Sequence, residues 1–171
     1  MSSITGSIID KMIKYFQGDV KRINHALKVY GLAKSIAENE GISEEDLQIL
    51  EVAAVLHDIG IKISEQKYNS AAGKYQELEG PPVAIKFLKE LDLRESFIDR
   101  VCYLIGHHHT YSKIEGMDFQ ILVEADFLVN IFEDNIAEKQ INSVRENYFR
   151  TSVGKYYLDS MYPVQMGNGV E

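Results

Sequence analysis

Apolar residues recur at intervals of three and four along almost the whole chain, which is the helical period, and no sustained alternation of the kind that marks strands is present. Ile8, Ile9, Met12, Ile13 and Phe16 form a first short amphipathic segment, closed by Gly18. Asp19 fits the N-cap of a second helix that runs to about Glu40, with Gly41 at its C′ position. Ser43, followed three residues later by Asp46, opens a third helix that carries Leu47, Leu50, Ala53, Ala54 and His57, and Gly60 lies just beyond its end. Between residues 62 and 80 the periodicity stops. The string KISEQKYNSAAGKYQELEG is polar and glycine-punctuated, and predicts a long connection of the kind used for lids and binding loops. Pro81 and Pro82 fit the first turn of a fourth helix, whose apolar side is Val83, Ile85, Phe87, Leu88 and Leu91. A fifth helix is predicted over about 94–108 and a sixth over about 118–134, through Phe119, Leu122, Ala125, Phe127, Val129 and Phe132. A helical pattern continues over 136–162, with a break near Gly154, before a tail over 163–171 expected to fray. The expected fold is all-α: a single domain over 1–171, built as a bundle of about six to eight helices with its core over about 19–134.

Composition narrows the function classes. The chain has 171 residues, 45% of them hydrophobic, which suits one domain with a substantial core. Eighteen Lys+Arg against 26 Asp+Glu give a net charge of -8, so long nucleic acids and anionic membranes are poor partners for its bulk field. No apolar run reaches the roughly 20 residues needed to cross a bilayer, and the first ten residues lack the pattern of a secretory leader. A cytoplasmic location is expected, and a homo-oligomer stays open. The one cysteine, Cys102, has no partner for an internal disulfide, and no CxxC spacing is present. A bound metal must therefore be held by histidines and carboxylates.

Such residues fall on the buried faces. His25 shares its stripe with Val29, Leu32 and Ile36; His57 with Leu50, Ala53 and Ala54; His108 with Val101, Leu104 and Ile105; and Asp126 lies among Phe119, Leu122 and Val129. A single inward histidine is an ordinary core residue with its ring nitrogens hydrogen-bonded. Asp126 is different, because a buried carboxylate costs several kcal/mol unless something cationic meets it. No Lys or Arg shares its face. A cation from another helix, or a metal ion shared with the inward histidines, would meet the need. His57 and Asp58 diverge by about 100° on a helix, so both reach one ion only if it sits beside the helix end.

His25, the dyad His57-Asp58 in VLHDIG, and Asp126 in LVEADFLVNI together resemble the H…HD…D pattern of the HD superfamily of metal-dependent phosphohydrolases. The resemblance spans about residues 19–130. It implies an all-α domain in which His25, His57, Asp58 and Asp126 bind one divalent ion, drawn from Mn, Fe, Co, Ni, Zn or Mg. It also implies hydrolysis of a phosphate ester or anhydride of a small molecule, a nucleotide foremost. Asp58 would orient or deprotonate the attacking water, with Lys62 or His108 stabilising charge on the phosphate. Two competing readings are a non-catalytic nucleotide- or metal-binding signalling module of the same fold and, for a minority of relatives, di-iron oxygenase chemistry.

Some members hold a second metal through a histidine before a GP-type helix start and through histidines at the end of the next helix. Here Glu79 replaces the first of these in ELEGPPVA, while IGHHHT supplies His107, His108 and His109. A site of Glu79, His107 and His108 sharing Asp58 is one reading; a solvated Glu79 and a histidine cluster contacting phosphate is the other. Lys62 lies one position later than the family's HDxGK form, so it is either a phosphate contact or an exposed lysine. Lys67, Lys74, Arg145, Arg150 and Lys155 are further candidate phosphate contacts, and Tyr68, Tyr75 and Tyr111 either stack on a base or pack.

Overall fold

A computed structural model describes residues 3–163, and every regular element among them is helical. The first three helices, α1 (Ile4–Tyr15), α2 (Val20–Glu40) and α3 (Glu44–Leu56), follow the predicted order. Each start is capped by a side chain: Ser3 accepts from the Gly6 N–H at 3.0 Å, Asp19 from Arg22 at 3.3 Å and Ser43 from Asp46 at 3.1 Å. These bonds satisfy N–H groups that the first turn of a helix leaves without partners. Gly41 ends α2 in the left-handed conformation, φ 70°.

Helix α3 is the central element, because every residue from Ile49 to Leu56 is buried. A helix covered on all sides needs neighbours on all sides. These are α1, α2, α6 (Glu95–Ile105) and α7 (Met117–Glu133). Helices α2 and α7 also pack on each other, so α2, α3 and α7 are in mutual contact.

The segment predicted as an irregular connection is instead α4 (Ile61–Tyr68) and the first half of α5 (Gly73–Leu88). The periodicity is hidden because α4 buries only Ser64, and α5 buries Gln76, Glu79 and Gly80 alongside two apolar residues. Pro81 and Pro82 lie in the middle of α5, not in a first turn. They deprive the carbonyls of Glu77 and Leu78 of their helical donors, a cost that packing must offset. That packing is backbone against backbone. A Cβ on Gly60 would stand 2.5 Å from the Gln76 carbonyl oxygen and 2.6 Å from the Gly80 nitrogen, and one on Gly80 would stand 2.6 Å from Ile105. The contact draws α5 onto the turn that follows α3.

Beyond α7, the helical signal divides into α8 (Glu138–Tyr148) and α9 (Ser152–Met161). The break falls at residues 149–151 rather than at Gly154. Buried Glu124 makes the turn by accepting from the backbone N–H groups of Arg150 at 2.6 Å and Thr151 at 2.9 Å. A Cβ on Gly154 would lie 1.9 Å from a Glu124 carboxylate oxygen, so that glycine marks a close approach inside α9. The tail expected to fray lies, from residue 164 on, outside the described residues. No helix among the described residues is long and apolar enough to cross a membrane.

Candidate metal centre

His25 comes from the second turn of α2, His57 and Asp58 from the end of α3 and the turn after it, and Asp126 from the middle of α7. Their donor atoms converge. The Nε2 atoms of His25 and His57 are 3.1 Å apart. Asp126 Oδ1 lies 3.2 and 3.4 Å from those two nitrogens, and Asp58 Oδ2 lies 3.4 Å from each. Ligands about 2.1 Å from a common ion are separated by about 3.0 Å at octahedral angles and about 3.4 Å at tetrahedral ones, so the spacing fits a divalent cation. The sequence requirement that the ion sit beside the end of α3 is met by the helix stopping at Leu56.

Each imidazole is aimed by its other nitrogen. His57 Nδ1 donates to the Ala54 carbonyl at 2.8 Å, His108 Nδ1 to the Ile105 carbonyl at 2.8 Å, and His25 Nδ1 to Glu133 at 2.9 Å. Glu133 is in turn held by Lys28 at 2.5 Å. With Nδ1 carrying the donated proton, the Nε2 lone pair is the one presented inward, the arrangement usual for metal-ligating histidines. Asn130 donates to Asp126 Oδ1 at 2.9 Å and fixes that carboxylate.

The electrostatics of the cluster favour positive charge at its centre. Burial disfavours charge on Asp58 and Asp126, but the imidazoles of His57 with His108, and of His25 with His57, hold the two carboxyls well below the usual carboxylate range. Burial likewise works against charge on His57, yet Asp58 and Asp126 outweigh it and raise its pKa to about 9. His25 is raised by Asp126 in the same way against its own burial. Protons on the histidines thus balance the carboxylates where a cation would otherwise do so.

A second cluster shares Asp58. Donor atoms of Asp58, His108 and His109 lie within 4.8 Å of one another, with His108 Nε2 3.3 Å from Asp58 Oδ1. His108 Nε2 is buried and makes no well-aligned hydrogen bond, so Asp58 is the one charged group facing it at this distance, an arrangement that a metal ion shared with Asp58 would suit. The three histidines of IGHHHT are therefore distributed differently from the sequence expectation. His107 Nδ1 donates to the Tyr103 carbonyl at 2.8 Å, with its ring against the Tyr103 ring, and does not join the cluster. Glu79 accepts from Lys67 at 2.9 Å and from the Tyr68 hydroxyl at 2.8 Å, and it too stands outside the group.

The centre opens into a cleft of about 460 Å³, lined by His25, Asp58, His109 and Asp126 together with Lys21 and Arg22 and the carboxylates of Asp19, Glu133 and Asp134. Arg22 is bonded to Asp19 at 2.8 Å and to Glu65 of α4 at 2.5 Å. Lys62 points elsewhere: it donates to the Tyr15 carbonyl at 2.9 Å and lies 4.8 Å from the centre of that ring. Lys67 is on Glu79, Lys74 on the Tyr75 ring, Arg145 on Asp159, and Arg150 on carbonyls of its own helix end; none of these, nor Lys155, lines the cleft. Tyr68 and Tyr75 stack on each other at 4.1 Å, and Tyr111 packs against Phe127 and Tyr148.

Sequence reasoning missed Glu133 and Asn130, and it named His109 in the IGHHHT run without placing it among the second-metal residues. Asn130 and Glu133 were within reach, since they follow Asp126 by four and seven residues and so share its face of α7. Which histidines of the run turn inward had no periodic cue, because His109 lies beyond α6 in the turn.

Comparison with known proteins agrees with this geometry. A comparison with curated proteins gives no significant match. The chain resembles the crystal structure of a predicted HD superfamily hydrolase from an uncultured Thermotogales bacterium, with 25% identity and a TM-score of 0.63 over 91% of this chain and 81% of that one. The family model for the HD domain matches residues 22–147, a span that contains His25, His57, Asp58 and Asp126, and the chain belongs to the HD domain family.

Proposed function

We propose that this HD domain is a metal-dependent hydrolase acting on a phosphate ester or anhydride of a small molecule, with nucleotides the foremost class. The observation that carries the reading is the convergence of two imidazole nitrogens and two carboxylate oxygens at 3.1–3.4 Å beside an open cleft. His25, His57, Asp58 and Asp126 hold the ion. A divalent metal there supplies Lewis acidity, making water more acidic and the phosphoryl group more electrophilic. Asp58 and His109 border the cleft, where they orient the attacking water. Lys21 and Arg22, which line the cleft, neutralise the phosphate as it enters, the part expected of Lys62 from sequence. Hydrolysis forms one bond from water oxygen to phosphorus and breaks the bond from phosphorus to the leaving oxygen, which departs with a proton. The Asp58–His108–His109 group supports a second ion sharing Asp58, and hence a two-metal centre.

The test is phosphate release from a panel of nucleotides and simple phosphate esters by protein loaded separately with Mn, Fe, Co, Ni, Zn or Mg. Metal-dependent release that is lost in Asp58→Ala is expected. Release that survives in metal-free Asp58→Ala protein would overturn the proposal.

A further inference from the structure

Beside the metal cleft is a second recess of about 380 Å³, and the two share a wall made by His109, Asn130 and Asp134. A molecule whose phosphate is at the metal ligands has this recess as its neighbouring space. Its character differs from that of the cleft. Tyr111, Phe127, Ile131, Ile136 and Val144 supply an apolar lining, with the Gln140 amide at its edge. The aromatic part is held in place from behind: Phe127 stacks on Tyr148 at 4.9 Å, and Tyr111 contacts both rings, at 5.3 and 4.7 Å. Such a braced π-surface favours flat groups, because little side-chain freedom remains to be lost on binding.

The charges are arranged asymmetrically. Among the described residues no Lys or Arg lines the recess, and its one carboxylate is Asp134, on the exposed rim. The cations Lys21 and Arg22 line the cleft only, where they stand among Asp19, Asp58, Asp126, Glu133 and the shared Asp134. A leaving group carrying its own phosphate or carboxylate would be placed in an apolar space, beside a carboxylate, with no cation to meet it. An uncharged leaving group meets no such penalty.

We infer that this recess receives the alcohol portion of the substrate and selects phosphate monoesters whose leaving group is flat and uncharged, against anhydrides and bisphosphates. The selection rests on the hydrolase reading above for its catalytic consequence, while the recess itself can be read by binding alone.

The experiment uses two pairs of probes. Phenyl phosphate and 4-carboxyphenyl phosphate leave as phenols of similar acidity that differ by one charge; phenylphosphonate and 4-carboxyphenylphosphonate are their non-hydrolysable counterparts. Phosphate release and ligand-observed NMR binding are measured on metal-loaded parent protein, Asp134→Lys and Val144→Trp, with folding checked by thermal melting. The parent is expected to favour the uncharged member of each pair by at least about fivefold. Asp134→Lys, on the exposed rim, is expected to narrow or invert that preference, and Val144→Trp to weaken binding of both members by filling the recess. Equal binding of the two phosphonates, unchanged in Asp134→Lys, overturns the inference; if phosphate release persists, the hydrolase reading survives. A retained binding preference without any phosphate release upholds the recess and overturns the hydrolase reading instead.

Discussion

In the metal-free protein the carboxylates beside His57 favour its protonated form, and stability is therefore expected to fall as pH rises. His57 is completely buried, and Asp58 and Asp126 raise its pKa from 6.5 to about 9 despite that burial. A folded-state pKa above the unfolded one contributes stability that is fully present below pH 6.5 and is lost as pH climbs through 9. The shift corresponds to roughly 2–3 kcal/mol lost between pH 6.5 and 9, or a fall in Tm of about 5–10 °C for a chain of this size. Chelator-treated protein melted across that pH range by circular dichroism gives the measurement. Asp58→Asn, which keeps the shape but removes one of the two charges, should flatten the slope, and saturating metal should abolish it, because an ion takes the place of the proton. A metal-free protein whose Tm holds or rises between pH 6.5 and 9 would refute the reasoning, since no protonated, carboxylate-held histidine could then lie at the centre.

Three further outcomes follow from the same geometry. Glu133→Gln removes the anionic acceptor that aims His25, and should weaken metal affinity by about 10- to 100-fold while leaving the metal-free fold intact, as read by metal titration beside thermal melting. His109→Ala should lower metal content by one ion per chain if Asp58, His108 and His109 hold a second metal; unchanged content in a parent that binds two would remove His109 from the site. Gly60→Ala places a methyl group 2.5 Å from the Gln76 carbonyl oxygen and should cost about 1–3 kcal/mol by pushing α5 off the turn after α3, a loss that chemical denaturation would read directly.

What could be read from the sequence was whatever leaves a contrast between a residue and its stripe. His25, His57 and Asp126 are polar positions on apolar helical faces, and Asp58 follows at a helix end marked by Gly60; their grouping around one ion came from the resemblance to the H…HD…D pattern. The same contrast concealed α4 and α5. Their buried sides are made of Ser64, Gln76, Glu79 and Gly80, polar or small residues that give no apolar period, and the prolines inside α5 mimic a helix start. Gly154 was misread for a related reason: its role depends on Glu124, thirty residues away in sequence, and no local pattern reports a close approach of that kind. The position of Lys62 was equally hidden, because the partner that draws it out of the cleft is the carbonyl of Tyr15 on α1.

The central claim is that His25, His57, Asp58 and Asp126 form a metal centre. Elemental mass spectrometry on untagged protein, purified without chelator, tests it most directly when the parent is compared with Asp58→Ala. The account predicts one or two transition-metal ions per chain in the parent and their loss in the variant. A parent that binds no divalent ion even after incubation with each candidate metal, or a variant that keeps the full complement, would contradict it.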